Sequence, residues 1–350
     1  MAVSPPLQGL REALRAHAPA LAALHFAPLA DTGLAHWHVR LLGSPWLARI
    51  PKQSQLGLAA AQNLAYQAAC FERAAPGGHS PALHAVLPAS AGLPRGALLV
   101  QAIDGVPLAL PQDLPAMIDA LAALHALPLP APAARPPLQD VADPLTALAA
   151  EIDAQATHLD AARLAAAARR RIDMELAAWR RLRQGDERPR RRLIAFDAHP
   201  GNFLRRPDGR AVLVDLEKAR YGAAAFDLAH ATLYTSTTWD LRARADLSDA
   251  QVRAAYEHWA RAVPGAEAER PWFVPLRRAM WLWSISWCAM WRVQSGAPAR
   301  AGGDGADWSA ARNEAALAAH VRDRVDHYLS PEAVDRVCDE ADRLARALSG

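Results

Sequence analysis

Apolar residues recur at helical spacing over residues 6–25 and predict a first helix. Two short runs of strand character, Trp37–Leu42 and Trp46–Ile50, flank Gly43-Ser44-Pro45, a turn signal, so a hairpin is expected there. A helix is predicted from about Leu56 to Arg73, followed by a Pro/Gly/Ser loop, Ala75–Ala82. A further strand, Ala97–Ile103, stops at Asp104-Gly105. From Leu114 the spacing turns helical. Pro128, Pro130, Pro132, Pro136 and Pro137 then break it, because proline lacks the N–H that a helix interior needs. Helices resume from about Pro144 to Arg183, short apolar strands fall near 193–216, and the remainder is mostly helical. The glycine-rich interval Ser295–Asp307 predicts a mobile loop. No repeat of fixed period stands out. The pattern predicts an α+β chain of two lobes, a small sheet lobe over 1–104 and a larger, mainly helical lobe over 105–350.

Composition narrows the function classes. With 350 residues, 52% apolar and 21% charged, the chain is neither disordered nor fibrous. The 39 basic and 36 acidic residues leave +3, too little to argue for a nucleic-acid partner or an anionic membrane. Lys52 and Lys218 are the only lysines, a bias that reads first as codon usage. Cys70, Cys288 and Cys338 stand far apart with no CxxC pair, which predicts reduced thiols and a cytoplasmic location. The first residues carry no secretory signal pattern. The most apolar window, Ala279–Trp291, lies between Arg278 and Arg292 and falls short of the ~20 residues a bilayer crossing needs, so a soluble protein is expected.

The densest chemistry lies in Leu193–Ala229. Pro207-Asp208-Gly209 is a strong turn signal between Asn202–Leu204 and the apolar run Ala211–Leu216. In an antiparallel hairpin centred on that turn, Asn202 and Asp215 fall opposite each other at the open end. Asp197 lies just before, on the entering loop. An amide oxygen and two carboxylates at one hairpin end suit Mg²⁺, which keeps several waters and takes one or two carboxylates plus phosphates. Single Asp and Asn residues also make turns and caps, and Asp227 before Leu-Ala-His could be an N-cap. The joint spacing is what points to a cation site.

These residues resemble the aminoglycoside phosphotransferase / choline kinase family, whose members have the protein-kinase-like fold. The match runs through Asp-Ala-His-Pro-Gly-Asn at 197–202, Val214-Asp215-Leu216-Glu217, and Gly222 followed by Asp227-Leu228-Ala229. Ala122-Ala123-Leu124-His125-Ala126-Leu127 resembles a further helix of the family. The resemblance implies a kinase that uses ATP and Mg²⁺ and a small-molecule hydroxyl acceptor such as a sugar, an aminoglycoside or an amino alcohol. Asp197 would be the catalytic aspartate, and Asn202 and Asp215 would hold Mg²⁺. Asp227 would be structural, holding the loop after Asp215. Leu98–Ile103 would be a hinge strand, with Gln101 and Ile103 offering backbone groups to adenine. Gly33, in Asp31-Thr32-Gly33-Leu34-Ala35-His36, would mark the phosphate loop. Arg49 best matches the basic residue that contacts the α/β phosphates, with Lys52 next.

Three departures set a second expectation beside the first. Ala195 stands where the family has histidine, which removes one brace from the loop. The phosphate loop holds a single glycine. The helical glutamate that pairs with the strand's basic residue has no clear counterpart, Gln67 and Glu72 lying nearby. A kinase-like scaffold that binds nucleotide without catalysis would account for all three. Elsewhere the ordinary readings lead. Trp283, Trp287 and Trp291 share one side of a helix and predict core packing, with room for one ring at a substrate cleft. The arginines of 163–192 predict a solvated helix face, and the acids Glu332, Asp335, Asp339, Glu340 and Asp342 predict surface ion pairs.

Overall fold

The computed structural model describes residues 4–30, 33–298, 307–309 and 314–349. Asp31 and Thr32 of the expected phosphate loop, and 299–306 of the expected loop Ser295–Asp307, therefore lie outside the described residues. Helices α1 (Leu7–His17) and α2 (Pro19–Ala22) precede strands β1 (Phe26–Pro28), β2 (His36–Leu41) and β3 (Trp46–Pro51). Helix α3 (Ala60–Ala74) is followed by β4 (Leu83–Leu87), β5 (Ala97–Gln101) and the short β6 (Val106–Pro107). Helices α4 (Leu114–His125), α5 (Pro144–Ala156) and α6 (Ala166–Arg183) lead to β7 (Arg191–Ile194), β8 (Phe203–Arg205), β9 (Ala211–Leu213) and β10 (Arg220–Ala223). Helices α7 (Ala224–Thr232), α8 (Tyr234–Thr237), α9 (Asp249–Ala262), α10 (Phe273–Gln294), α11 (Ala315–Tyr328) and α12 (Pro331–Ser349) complete the chain.

The first five strands form one antiparallel sheet in the order β1-β2-β3-β5-β4. Its two faces serve two cores. On β5, Ala97 and Leu99 pack with Leu10, Leu14 and Val39 on the α1 side, whereas Leu98 and Val100 join α3 and the helical region. Alternate residues of a strand point to opposite faces, so this one run of apolar side chains fills both. The helical region is built around α4 and α10, whose Met117, Ile118, Leu121, Met280, Trp281 and Ile285 are buried. Trp291 is buried as well and Trp287 half-buried, so the tryptophan stripe is largely core. No helix among the described residues is long and apolar enough to cross a membrane.

Several boundaries differ from the sequence reading, each for a local reason. The helix expected over 6–25 breaks at Ala18, which leaves the helical region (φ −151°) because Pro19 follows it. Helix α3 starts at Ala60 rather than Leu56, since Gly57 takes φ +67°. The region 144–183 forms two helices, interrupted where Arg163 adopts φ 53°. Strands β1 and β4 are short and lie next to prolines, and periodicity did not mark them. Along the expected solvated face of 163–192, Arg169 pairs with Asp173, Arg183 with Asp153 and Arg188 with Asp143, but Arg192 is buried against Glu269. Of the late acids, Asp339 meets Arg171 at the surface while Glu340 is buried against Arg277.

Candidate active site

Strand β7 runs directly into Ala195-Phe196-Asp197. Asp227, inside α7 and fully buried, holds this stretch: its Oδ2 accepts the backbone N–H of Ala195 and its Oδ1 that of Phe196, each at 2.7 Å. His125 Nε2 lies 3.0 Å from Asp227 Oδ2, and Trp259 Nε1 donates to His125 Nδ1 at 2.9 Å. With Nδ1 accepting, the ring's proton sits on Nε2 and points at Asp227. Two expectations change here. Asp227 is neither an N-cap nor the brace of the loop after Asp215; it braces the loop before Asp197. The brace expected to be missing at Ala195 is supplied through the backbone, with His125 behind it. Phe196 takes φ +63°, a left-handed backbone that costs a non-glycine residue about 1 kcal/mol or more. Its ring is locked by Trp283 (5.3 Å), Phe226 (6.4 Å) and the Arg220 guanidinium (3.7 Å).

Strands β8 and β9 form the expected hairpin, with one correction of register. Phe203 pairs with Leu213 and Arg205 with Ala211, so Asn202 faces Val214, not Asp215. The Val214 N–H donates to Asn202 O at 2.8 Å. Beyond the strands the Arg206 N–H donates to Arg210 O at 2.9 Å, which leaves a three-residue turn, Pro207 to Gly209, with Gly209 at φ +85°, and an odd count shifts the pairing by one. Asn202 Nδ2 donates to Asp197 O at 2.8 Å, leaving the amide oxygen for a cation. Asp215 follows one residue beyond the paired position.

Arg49, on β3 and buried, reaches across to this end. Its Nη2 meets Asp215 Oδ1 and its Nη1 donates to Val214 O, both at 2.8 Å. Burial alone would raise the Asp215 carboxyl, but Arg49 and His36 outweigh it and hold it at about 2. His36 Nδ1 and the Asp215 and Glu217 carboxylates gather within 4.8 Å of one another. The Arg49 guanidinium already lies among them, 3.5 Å from His36 Nδ1, so a metal ion in that position would meet a fixed positive charge. At this end of the hairpin the hard-oxygen donors left by these contacts are the Asn202 amide oxygen and Asp215 Oδ2. Gln67 lies where the helical glutamate was sought. It pairs with His36 Nε2 at 2.9 Å and lies 3.5 Å from Glu217 Oε2. Gln55 donates to Glu217 Oε1 at 2.7 Å. Burial, and then Asp215, pushes the Glu217 carboxyl up to about 8.

On the other side of Asp197, Lys218 Nζ lies 2.7 Å from Oδ2 and 5.4 Å from the Trp283 ring centroid. His230 Nδ1 is 3.6 Å from Oδ1. Burial would raise the Asp197 carboxyl, yet Lys218, His199 and His230 hold it well below the usual carboxylate range. Burial holds the His230 imidazole down to about 4 and lowers that of His199. Trp283 is thus the ring of the stripe that reaches the site, its Nε1 donating to Glu151 Oε2 at 2.8 Å. Gly201 packs under Asp240: a Cβ there would lie 2.8 Å from Asp240 Cβ and 2.9 Å from His199 Cε1.

The structure therefore brings Asp197, Asn202, Asp215 and Arg49 together. Lys52, just past β3, donates from Nζ to Gly33 O at 2.8 Å. Gln101 ends β5 opposite Trp46, and Ile103 lies two residues beyond that strand. No bond among the described residues joins either to the aspartate group. Lys218, His230, His36 and Glu217 were assigned no role at the site from sequence. Lys218 did carry a signal, as one of two lysines in an arginine-rich chain.

A family model described as the phosphotransferase enzyme family matches residues 37–271, about two thirds of the chain. Among curated proteins none matches. Similar solved structures include a choline/ethanolamine kinase family protein from Mesorhizobium loti (TM-score 0.60, 17% identity, 99% of this chain and 100% of that one). An ethanolamine kinase of Plasmodium vivax aligns with TM-score 0.60 and 12% identity over 94% of this chain and 89% of that one. Aminoglycoside 2'-phosphotransferase-IIIa, solved with GDP, aligns with TM-score 0.55 and 14% identity over 96% and 99%. The fold shared with these proteins is the two-lobed, protein-kinase-like one, with a small antiparallel sheet and a helical C-terminal region. By the extent of the family match, the chain belongs to the phosphotransferase enzyme family.

Proposed function

We propose that the chain is an ATP- and Mg²⁺-dependent kinase that phosphorylates a hydroxyl of a small molecule, in the cytoplasm, with 1–104 and 105–350 as its nucleotide-binding and catalytic lobes. The observation that carries this reading is the meeting of an ionised Asp197, the Asn202 amide and Asp215 at the open end of one hairpin. In this chemistry a protein chiefly positions groups and neutralises charge. Asp197 would orient the acceptor hydroxyl and take its proton. Asn202 and Asp215 would hold Mg²⁺, which when bound neutralises charge on the nucleotide phosphates. Arg49 would fix Asp215 for that task and Lys52 would face the phosphates beside Gly33. The backbone at Gln101 and Ile103 would receive the base. The presence of an ethanolamine kinase and an aminoglycoside 2'-phosphotransferase among the similar structures supports that acceptor class.

The test is nucleotide consumption with Mg²⁺ across aminoglycosides, sugars, amino sugars, choline and ethanolamine. Asp197→Ala should lower turnover on the accepted substrate by about 10²–10⁴-fold. Near-wild-type turnover by Asp197→Ala and Asp215→Ala would overturn the reading. One observation favours a second reading, a nucleotide-binding scaffold: Arg49 bonds Asp215 directly, and neutral Gln67 stands where a glutamate would draw it away. ATP binding that needs no Mg²⁺, with no turnover on the panel, would support the scaffold.

A further inference from the structure

All but two of the 39 Lys and Arg residues are arginine, and one of the two lysines, Lys218, lies against Asp197. A guanidinium is a planar fork that bonds in two places at once, whereas an ammonium is a compact point charge with three rotatable donors. Lys218 occupies a frame that fits the second kind. Its side chain is 10% exposed, with Nζ 2.7 Å from Asp197 Oδ2. The Trp283 ring that covers it is tied to Glu151, and Arg220 bonds the same carboxylate. Arg220 Nε also donates to Lys218 O at 3.2 Å, so ring and backbone are held from both ends. The other oxygen, Oδ1, faces His230 at 3.6 Å, beyond a good hydrogen bond.

We propose that Lys218 is a positioning residue for phosphoryl transfer: by holding Oδ2 of Asp197 it leaves Oδ1 as the oxygen that meets the acceptor hydroxyl. This rests on the kinase reading of the site. The acceptor proton passes to Oδ1 as the acceptor oxygen bonds to the γ-phosphorus and the bond to the departing nucleoside diphosphate breaks. Arginine in the same place would engage both carboxylate oxygens and cover the one the acceptor needs.

The experiment uses the full chain with MgATP and the accepted alcohol of the panel, or water as acceptor if no alcohol is taken. Lys218→Met should lower kcat by about 10²-fold, with the KM for MgATP within about twofold and the urea midpoint of unfolding close to wild type. Added methylammonium should restore at least about tenfold of the kcat lost in Lys218→Ala, while Lys218→Arg should remain nearly as slow as Lys218→Met. The inference is overturned if Lys218→Met keeps kcat within about threefold, if its loss is matched by nucleotide KM or by the midpoint, or if methylammonium changes nothing. Asp197→Ala separates the two failures. An inactive Asp197→Ala beside an active Lys218→Met removes this inference alone. An active Asp197→Ala, or a wild-type chain that turns over no nucleotide even with water, removes the kinase reading and this inference with it.

Discussion

Asp227 and His125 meet at 3.0 Å with neither side chain exposed. Around this pair one buried carboxylate collects three hydrogen bonds, two from the backbone of Ala195 and Phe196 and one from the imidazole. Trp259, itself fully buried, sets the imidazole's tautomer. The segment that carries Asp197 is thus anchored to the centre of the helical core.

Asp227→Ala leaves two backbone N–H groups and an imidazole donor buried without a partner. It should cost about 3–5 kcal/mol of unfolding free energy. Asp227→Asn should lose less, because its amide oxygen still accepts from one side. Urea denaturation of the three chains checks the order.

Gly201→Ala puts a methyl carbon 2.8 Å from Asp240 and 2.9 Å from His199. Asp240 and His199 must yield, and Asn202 is the next residue. Because a displacement of ~1 Å at a positioned group can cost about 10²-fold in rate, kcat should fall far more than stability does. Steady-state kinetics beside a melting curve separates the two effects.

Glu217 gives a pH dependence whose sign can be worked out. Its folded pKa, about 8, lies above the ordinary glutamate value, so the folded chain keeps a proton that the unfolded chain has released. Stability from this group therefore declines as pH rises from about 4 towards about 8. His36, at about 3, and His230, at about 4, act in the opposite sense, removing stability as pH falls below about 6.5. Glu217 is uncharged below about 8, so neutral Gln in its place leaves the charge around His36, 3.8 Å away, and around His230 unchanged over that range. The difference between those two chains should therefore grow in favour of Glu217→Gln between about pH 5 and about pH 8. Midpoints in urea that run parallel across this range would contradict it.

The three cysteines are free and buried. Burial pushes the Cys288 thiol up to about 12 and Cys338 to about 11, and raises Cys70 as well. Reaction needs the thiolate. A disulfide reagent near neutral pH should find almost no thiol in the native chain and three after denaturation.

Much of this arrangement was legible in the sequence because it is local. The Pro207-Asp208-Gly209 turn, Asn202 and Asp215 lie within one hairpin, and spacing placed them to within one residue. The one-residue error came from the three-residue turn, whose length fixes pairing more finely than a centre can. What stayed hidden depends on contacts between distant segments. Arg49 meets Asp215 across 166 positions and His125 meets Asp227 across 102, and no periodicity records either contact. Ala195 looked like a lost brace because a missing side chain is visible in sequence, whereas a backbone N–H is not.

The scarcity of lysine gives the chain a built-in reporter beside Asp197. A lysine-specific endoprotease has two places to cut in all 350 residues, after Lys52 and after Lys218. One follows β3 beside Gly33, and the other lies under Trp283 against Asp197. Proteolysis of the native chain would therefore register opening at these two points and be blind to fraying elsewhere. Fragments ending at residue 218 would time the exposure of the segment beside Asp197, with no label or substitution needed.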